Sequence, residues 1–365
     1  MFSINRNYIG NGCPTYIIAE ISANHNQNLG IARQLIKEAS KSGANAVKLQ
    51  TYTPDTITLD CNNEHFQIKK GPWQGQTLHQ LYSKAYTPWD WHSELKIMAN
   101  NLGLDLFTSP FDVSAVDFLE TLDMPAYKIA SCEITDHILL RRIAETQKPV
   151  IISSGMATKD ELKTAITILR NYGTPHICML KCTSAYPAKP EDANLATLTD
   201  MIKNFRVDCI GISDHTLGIT VPITSVVLGA KVIEKHFTLS RNSGSPDDAF
   251  SLTPNEFKEM VDSVRIAEKC IGTIKYGGVK NENNTRKFRR SLFVVKDMKK
   301  GDTFTEENIK SIRPGNGLHT KYYWGVLGKK CIKNIKKGTP LNWEFITESI
   351  MEDIDKYGIN YSMLM

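Results

Sequence analysis

Through residue 270, apolar residues recur in short uninterrupted runs separated by amphipathic stretches. The runs Tyr16–Ile21, Ala46–Gln50, Leu104–Thr108, Ala126–Ile129, Val150–Ile152, Ile177–Lys181, Cys209–Ile212 and Lys231–Ile233 predict buried strands. Helical spacing marks Leu29–Ser42, Trp89–Leu102, Val113–Leu122, Lys159–Tyr172, Ile219–Gly229 and Pro254–Ile271. Eight strand–helix repeats in about 270 residues predict an α/β fold, a closed (β/α)8 TIM barrel. An open doubly wound sheet is the next alternative. It fits less well, because no G-x-G-x-x-G turn follows any strand.

The alternation breaks twice. Residues 52–87 follow the second strand and contain Pro54, Gly71, Pro72, Trp73 and Gly75, which marks a lid or binding loop. Beyond residue 275 the helical spacing stops. Residues 1–275 are therefore assigned to the barrel and the polar, then basic, residues 276–290 to a linker. Residues 291–346, with short strands and K-K-G turns, predict a small β-rich domain, and residues 347–365 a weakly patterned tail.

Composition narrows the picture. Of 365 residues, 41% are hydrophobic and 23% charged, ordinary values for a globular chain. No apolar run reaches the ~18 residues of a membrane span, and no basic-then-apolar leader opens the sequence, so a cytoplasmic location with no membrane partner is expected. The net charge of +5 is uneven: residues 280–346 hold 16 Lys and Arg against 6 Asp and Glu. No aromatic-interleaved nucleic-acid module accompanies them, so this basic face is expected to meet solvent or a small anion and no nucleic acid. Eight cysteines without a C-x-x-C suit buried reduced thiols better than disulfides or zinc.

The chemistry gathers at the strand ends. His215, in S-D-H-T, and His236, in E-K-H-F, each follow a strand-like run, with a helix between. Parallel neighbours would bring both imidazoles to one mouth, where they could hold a divalent metal completed by water and substrate oxygens. Either alone would equally suit a structural histidine. Lys48 and Lys128, with Ser109, Ser131, Ser153 and Ser213, make a ring of point charges and donors suited to phosphate or carboxylate. A lysine at a strand end can also snorkel to solvent, and Lys128 or Lys181 could serve a Schiff-base aldolase. Glu20 is a general base, a water-positioner or a lysine's ion-pair partner. Asp247, in S-P-D-D, accepts from substrate or closes an Asx turn. His25, in A-N-H-N, is a loop anchor or a supporting group.

Taken together, I-A-E-I-S-A-N-H-N (18–26), V-K-L-Q-T-Y (47–52), Y-K-I-A-S (127–131), I-S-S-G-M (152–156), L-K-C-T-S-A-Y-P (180–187), S-D-H-T-L-G (213–218) and I-E-K-H-F-T-L (233–239) resemble the sialic acid synthase family. R-R-S-L-F-V (289–294) and I-R-P-G-N-G-L (312–318) resemble its C-terminal antifreeze-like (SAF) domain. Y-T-P-D-T-I-T-L-D (52–60), T-P-W-D-W-H (87–92) and D-D-A-F-S-L (247–252) are similar to the pseudaminic acid branch of that family.

The resemblance implies condensation of phosphoenolpyruvate with an open-chain amino sugar, giving a nine-carbon α-keto acid and phosphate. It also implies a divalent metal ion (Mn2+, Mg2+ or Co2+) and a homodimer that exchanges its C-terminal domains. By the same resemblance His215 and His236 are the metal ligands. Lys48, Ser109, Lys128, Ser131, Ser153 and Ser213 take phosphoenolpyruvate, and Glu20, Gln50, Tyr186 and Asp247 hold sugar-side or catalytic positions. The resemblance likewise implies that Arg313 reaches from the small domain into the partner's barrel. Ser184 stands where some members carry Asn, and S-P-D (245–247) replaces G-P-D; both positions lie on the sugar side. An ice- or carbohydrate-binding protein built on the small domain alone would leave residues 1–270 without a purpose.

Overall fold

β1 (Phe2–Ile4) and β2 (Asn7–Ile9) form an antiparallel hairpin that precedes the barrel. Eight parallel strands then close on themselves: β3 (Tyr16–Glu20), β4 (Ala46–Thr51), β5 (Asp105–Pro110), β6 (Tyr127–Ile129), β7 (Val150–Ser153), β8 (Ile177–Cys182), β9 (Cys209–Asp214) and β10 (Val232–His236). Closure comes from β10, which pairs with both β9 and β3. The computed structural model describes residues 1–71 and 73–347, so the expected tail lies, beyond Thr347, outside the described residues. The chain divides into two units after Gly272.

All eight expected strands are present. Most extend past their apolar runs, β10 by three residues to His236. Apolar runs mark where side chains meet a core, whereas the ladder is made by backbone and continues through polar residues. Period-two alternation sorts each strand. Ile18, Ala46, Phe107, Ile151, Leu180 and Val232 fill the interior, while Ile17, Val47, Leu106, Ile152 and Met179 meet the surrounding helices. Gly211 sits on an inward position where any Cβ would strike the Val232 carbonyl and the Leu180 side chain, so glycine lets β9 and β10 approach.

The hairpin escaped the sequence pattern, because strands of three residues are too short to display a period. It closes the barrel floor, where Phe2, Ile4 and Ile9 join Tyr16, Ile18 and Ala46 in one apolar cluster. Asp105 anchors it, accepting from Asn5 Nδ2 (2.9 Å), Asn7 Nδ2 (2.9 Å) and Tyr16 Oη (2.7 Å). Residues 52–87 include a helix, Leu78–Ala85, opened by a reciprocal capping box between Thr77 and Gln80.

The second unit is built on a two-stranded antiparallel pair, β11 (Ser291–Val294) and β12 (Ile309–Ile312). Irregular chain wraps a core of Leu292, Val294, Met298, Phe304, Ile309, Val326 and Leu341. The exposed lysine-bearing K-K-G turns lie outside that core. No helix among the described residues is long and apolar enough to cross a membrane.

Replacing Asp105 by Ala strips three donors of their shared acceptor and should cost about 2–4 kcal/mol. Tyr16→Phe removes one bond and should cost about 1 kcal/mol. Urea unfolding of the full chain checks the order; a larger loss for Tyr16→Phe would refute Asp105 as the hub.

Candidate active site at the barrel mouth

The last inward layer of the barrel is polar. The alternation that places Ile18, Ala46 and Val232 inside also turns Glu20, Lys48, Gln50, Ser109, Lys128, Ser153, Cys182, Ser213, Glu234 and His236 toward the axis. It turns Lys181 and Lys235 away. Lys181 donates to Thr183 Oγ1 (2.6 Å), and Lys235 is buried against Asp214 and the Thr216 carbonyl. Of these strand-end lysines only Lys48 and Lys128 face the mouth, and Lys181 is excluded as a nucleophile there.

Those two lysines do not snorkel. Lys48 is 4% exposed and Lys128 2%. Lys48 Nζ lies 3.1 Å from Glu20 Oε2 and 3.0 Å from Glu234 Oε2, and Lys128 Nζ lies 3.7 Å from Glu234 Oε1. Ser213 Oγ donates to Glu234 Oε1 at 2.9 Å, and Gln50 Nε2 donates to Glu20 Oε1 at 3.0 Å. Burial opposes the charge on Lys48, but Glu20 and Glu234 outweigh it and raise its pKa. Burial lowers the pKa of Lys128, which Glu234 only partly restores. Burial raises Glu234, yet Lys128 and Lys48 pull it down to about 2. Glu20 is raised by burial, pulled back by Lys48 and raised again by Glu234, reaching about 7. Glu234 is therefore the fixed counter-charge and Glu20 the carboxylate able to change protonation near neutrality.

The hydroxyls of Ser109 and Ser153 are buried without hydrogen-bond partners. Ser131 lies just past β6 and accepts from the Gly155 backbone N–H (3.1 Å). Glu133, two residues on, is raised to about 7, chiefly by burial against the pull of Lys128, and its Oε2 lacks a partner. Neither Glu133 nor Glu234 stood out in the sequence. Glu234 could have been found, since it lies two residues before His236 and must share its face.

His215 follows β9, His236 ends β10, and their ring centroids are 5.2 Å apart. His215 Nδ1 donates to the Thr183 carbonyl (2.9 Å), which leaves Nε2 with its lone pair. Burial opposes protonation of His215, but Cys182 and that carbonyl outweigh it; burial and His215 push His236 well below the ordinary histidine range. His236 Nδ1 is buried without a hydrogen-bond partner, 3.9 Å from Asp247 Oδ2. An available imidazole lone pair beside a neutral, unsatisfied imidazole fits a divalent ion. Among the described residues no group of three or more His, Cys, Asp or Glu surrounds one, so other ligands would be water or substrate.

Tyr186 stacks obliquely on His215 (4.4 Å) and meets Phe250 (5.2 Å), which lies 5.0 Å from His236. Trp73 of the 52–87 loop reaches Tyr186 (6.4 Å). Asp247 does not spend its carboxylate on a turn: Ser22 Oγ donates to it, and Asp248 takes the local Ser243 and Gly244 donors. Ser184 Oγ lies 4.0 Å from Cys182 Sγ. Arg313 is exposed in the second unit. A separate groove of about 560 Å³ lies outside, lined by His137, Ile138, Arg141, Arg142 and Tyr172. Its arginines are paired with Glu145 and Asp117, so it lacks the unsatisfied buried groups of the mouth.

Residues 35–276 match the NeuB family and residues 289–347 the SAF domain. The chain belongs to the NeuB family. This bears out the resemblance to the sialic acid synthases, barrel and SAF domain included. The chain is 46% identical to a pseudaminic acid synthase of Helicobacter pylori over 92% of its own length and 99% of that protein's. It is 36% identical to an N,N'-diacetyllegionaminic acid synthase of Legionella pneumophila over 92% and 96%. Among solved structures, an N-acetylneuraminic acid synthetase from Leptospira borgpetersenii, in complex with citrate, superposes with a TM-score of 0.68 at 30% identity, covering 78% of this chain and 94% of that one.

Two outcomes are expected of this NeuB-family mouth. Glu234→Ala leaves two buried ammonium groups without their shared anion and should cost about 3–5 kcal/mol, whereas Glu20→Gln, with Lys48 still paired, should cost about 1 kcal/mol. Urea unfolding decides the order, and equal losses would overturn it. The second concerns His25 and His92, both fully buried beside the mouth and held down to about 4, chiefly by burial. Unfolding lets each take up a proton at its ordinary pKa. Their stabilising contribution is therefore complete above pH 6.5 and lost as pH falls toward 4, up to about 3 kcal/mol each. His92→Gln should flatten the measured stability–pH slope across that window, and an unchanged slope would remove the histidines as its cause.

Proposed function

We propose that this chain is a transferase that condenses phosphoenolpyruvate with 2,4-diacetamido-2,4,6-trideoxy-β-L-altropyranose and water. The products are pseudaminic acid and phosphate. The observation that carries the chemistry is the buried cup itself: two ammonium groups and two unpartnered serine hydroxyls beside an imidazole pair. The sugar assignment is supported by 46% identity to a pseudaminic acid synthase against 36% to a legionaminic one. The structural likeness to an N-acetylneuraminic acid synthetase favours, as second reading, the same chemistry on that synthase's sugar or on the legionaminic precursor.

In the reaction, C3 of the enol bonds to the sugar's aldehyde carbon while water adds at C2. The C2–O bond then breaks and phosphate leaves with the bridging oxygen. A divalent ion (Mn2+, Mg2+ or Co2+) held by His215 and His236 would supply Lewis acidity to the aldehyde oxygen. Lys48 and Lys128 clamp the phosphate and carboxylate as fixed cations in a site shielded from water. Lys128, the more loosely paired at 3.7 Å, is the easier for substrate to recruit from Glu234. Ser109 and Ser153 donate to the anion from hydroxyls that need no bond broken first; Ser131 and Ser213 complete its surround. Glu20, poised near 7 and steadied by Gln50, orients the water that adds at C2. Positive charge developing at C2 is stabilised by the same ionised carboxylate.

On the sugar side, Asp247 and Ser184 accept from or donate to hydroxyl and amide groups. Phe250 and Tyr186 form an apolar wall suited to the 6-methyl group. Arg313 belongs to a unit proposed to exchange across a homodimer and to complete the partner's site. The protein is expected to act in the cytoplasm, where both substrates are soluble.

Phosphate release from phosphoenolpyruvate tests the reading, with Mn2+ and the altrose, its legionaminic counterpart or N-acetylmannosamine. Release with the altrose alone, abolished by a chelator, is expected. Release only with another sugar would move the assignment to that branch, and no release with any would overturn the synthase reading. Borohydride with pyruvate should leave the chain unlabelled; trapping would restore the aldolase alternative.

A further inference from the structure

The loop after β3, residues 21–28, contains three non-glycine residues in the left-handed region: Ser22 (φ 48°), Asn26 (47°) and Gln27 (50°). Such backbone costs about 1–3 kcal/mol per residue and persists only where surroundings enforce it. Two separate sets of bonds enforce it here. One runs to the end of the 52–87 loop: His25 Nε2 donates to Thr87 Oγ1 (3.0 Å), and Gln27 Nε2 donates to the carbonyls of Ser83 (2.9 Å) and Tyr86 (3.3 Å). The other runs to the loop after β10. Asn24 Nδ2 donates to the Phe237 carbonyl (2.9 Å) and to Ser251 Oγ (2.9 Å), its oxygen accepts from Ser245, and Asn26 Nδ2 donates to the Ser243 carbonyl (2.9 Å).

The direction of the histidine bond is fixed. The Gln27 backbone N–H donates to His25 Nδ1 (3.0 Å), so the ring proton sits on Nε2 and points at Thr87. The two loops so tied each carry an aromatic group toward the proposed sugar side. The first brings Trp73 to Tyr186, and the second brings Asp247 and Phe250 to His236. Asn24 and His25 are 1% and 0% exposed, and their side chains hydrogen-bond loop atoms and not the Lys48–Glu234 cup.

We infer that Asn24, His25 and Gln27 are positioning residues that couple the 52–87 loop to the loop after β10, so that the two walls grip the acceptor sugar as one body. The inference deepens the proposed function and rests on its reading of a sugar acceptor. Coupling through Asn24, His25 and Gln27 separates the two substrates: the sugar is held by the tied loops, while phosphoenolpyruvate is held by strand residues and Ser131, to which these three side chains make no hydrogen bond.

The test uses the full chain and the variants Gln27→Ala, His25→Ala and His25→Gln. Gln27 is exposed, so its variant carries little folding risk. Amide hydrogen exchange without substrates should quicken at least about fivefold in residues 237–252, to which neither Gln27 nor His25 hydrogen-bonds through its side chain, as well as in residues 78–87. In turnover, KM for the sugar should rise about tenfold with KM for phosphoenolpyruvate within about twofold, and His25→Gln should recover part of the loss. Exchange that quickens only in residues 78–87, or an equal rise in both KM values, would overturn the coupling. The exchange arm needs no sugar. A wild-type protein without turnover would sink the functional reading and leave exchange to judge the coupling alone.

Discussion

Two ammonium groups in a dry cup impose the strongest constraint on this molecule. A buried lysine without a partner surrenders its proton or unfolds its surroundings, so Lys48 and Lys128 need an anion at all times. Glu234 supplies it across the barrel axis from β10, two strands from Lys48 and four from Lys128, with Ser213 holding the carboxylate in place. The strand register that delivers those groups is set much deeper, by Ile18, Phe107, Leu180 and the glycine at 211. A slip by one residue would turn the whole polar layer outward. The apolar core thus fixes the electrostatics as well as the stability.

Much of this was legible in the chain. The runs around Val47, Ile151 and Ile210 are apolar on both faces, as a strand covered by helices outside and packed inside must be, and they gave the barrel directly. His215 and His236 were legible because a mouth histidine follows its strand. Lys181 misled because it closes an apolar run, while Lys128 lies near the end of another. Only the register, which places 178, 180 and 182 inside, separates them. Glu234 was hidden for the opposite reason: it lies between apolar Ile233 and the more conspicuous Lys235, which faces out. Residues that act through pairing rather than type leave no mark in a single sequence.

The sugar side was the least legible part, and the reason is physical. The cup for the anion is made of strands, whose positions follow from the core. The opposing walls belong to loops, whose shape follows from particular side-chain bonds such as His25 to Thr87 and Asn24 to Ser251. Membership of the NeuB family fixes the first kind of feature well. Ser184 and Ser245, where the chain departs from strings it otherwise resembles, both lie in loops of the second kind.

The hairpin under the barrel has a consequence in time rather than in space. Asn5 lies 100 residues ahead of the Asp105 carboxylate that receives it. At roughly 5–20 residues per second, a ribosome takes about 5–20 s to make the intervening chain. Through that interval Phe2, Ile4 and Ile9 have no floor to close. The plug gains its Asp105 anchor only when β5 has left the exit tunnel, and its full apolar socket only when β10 has closed the barrel.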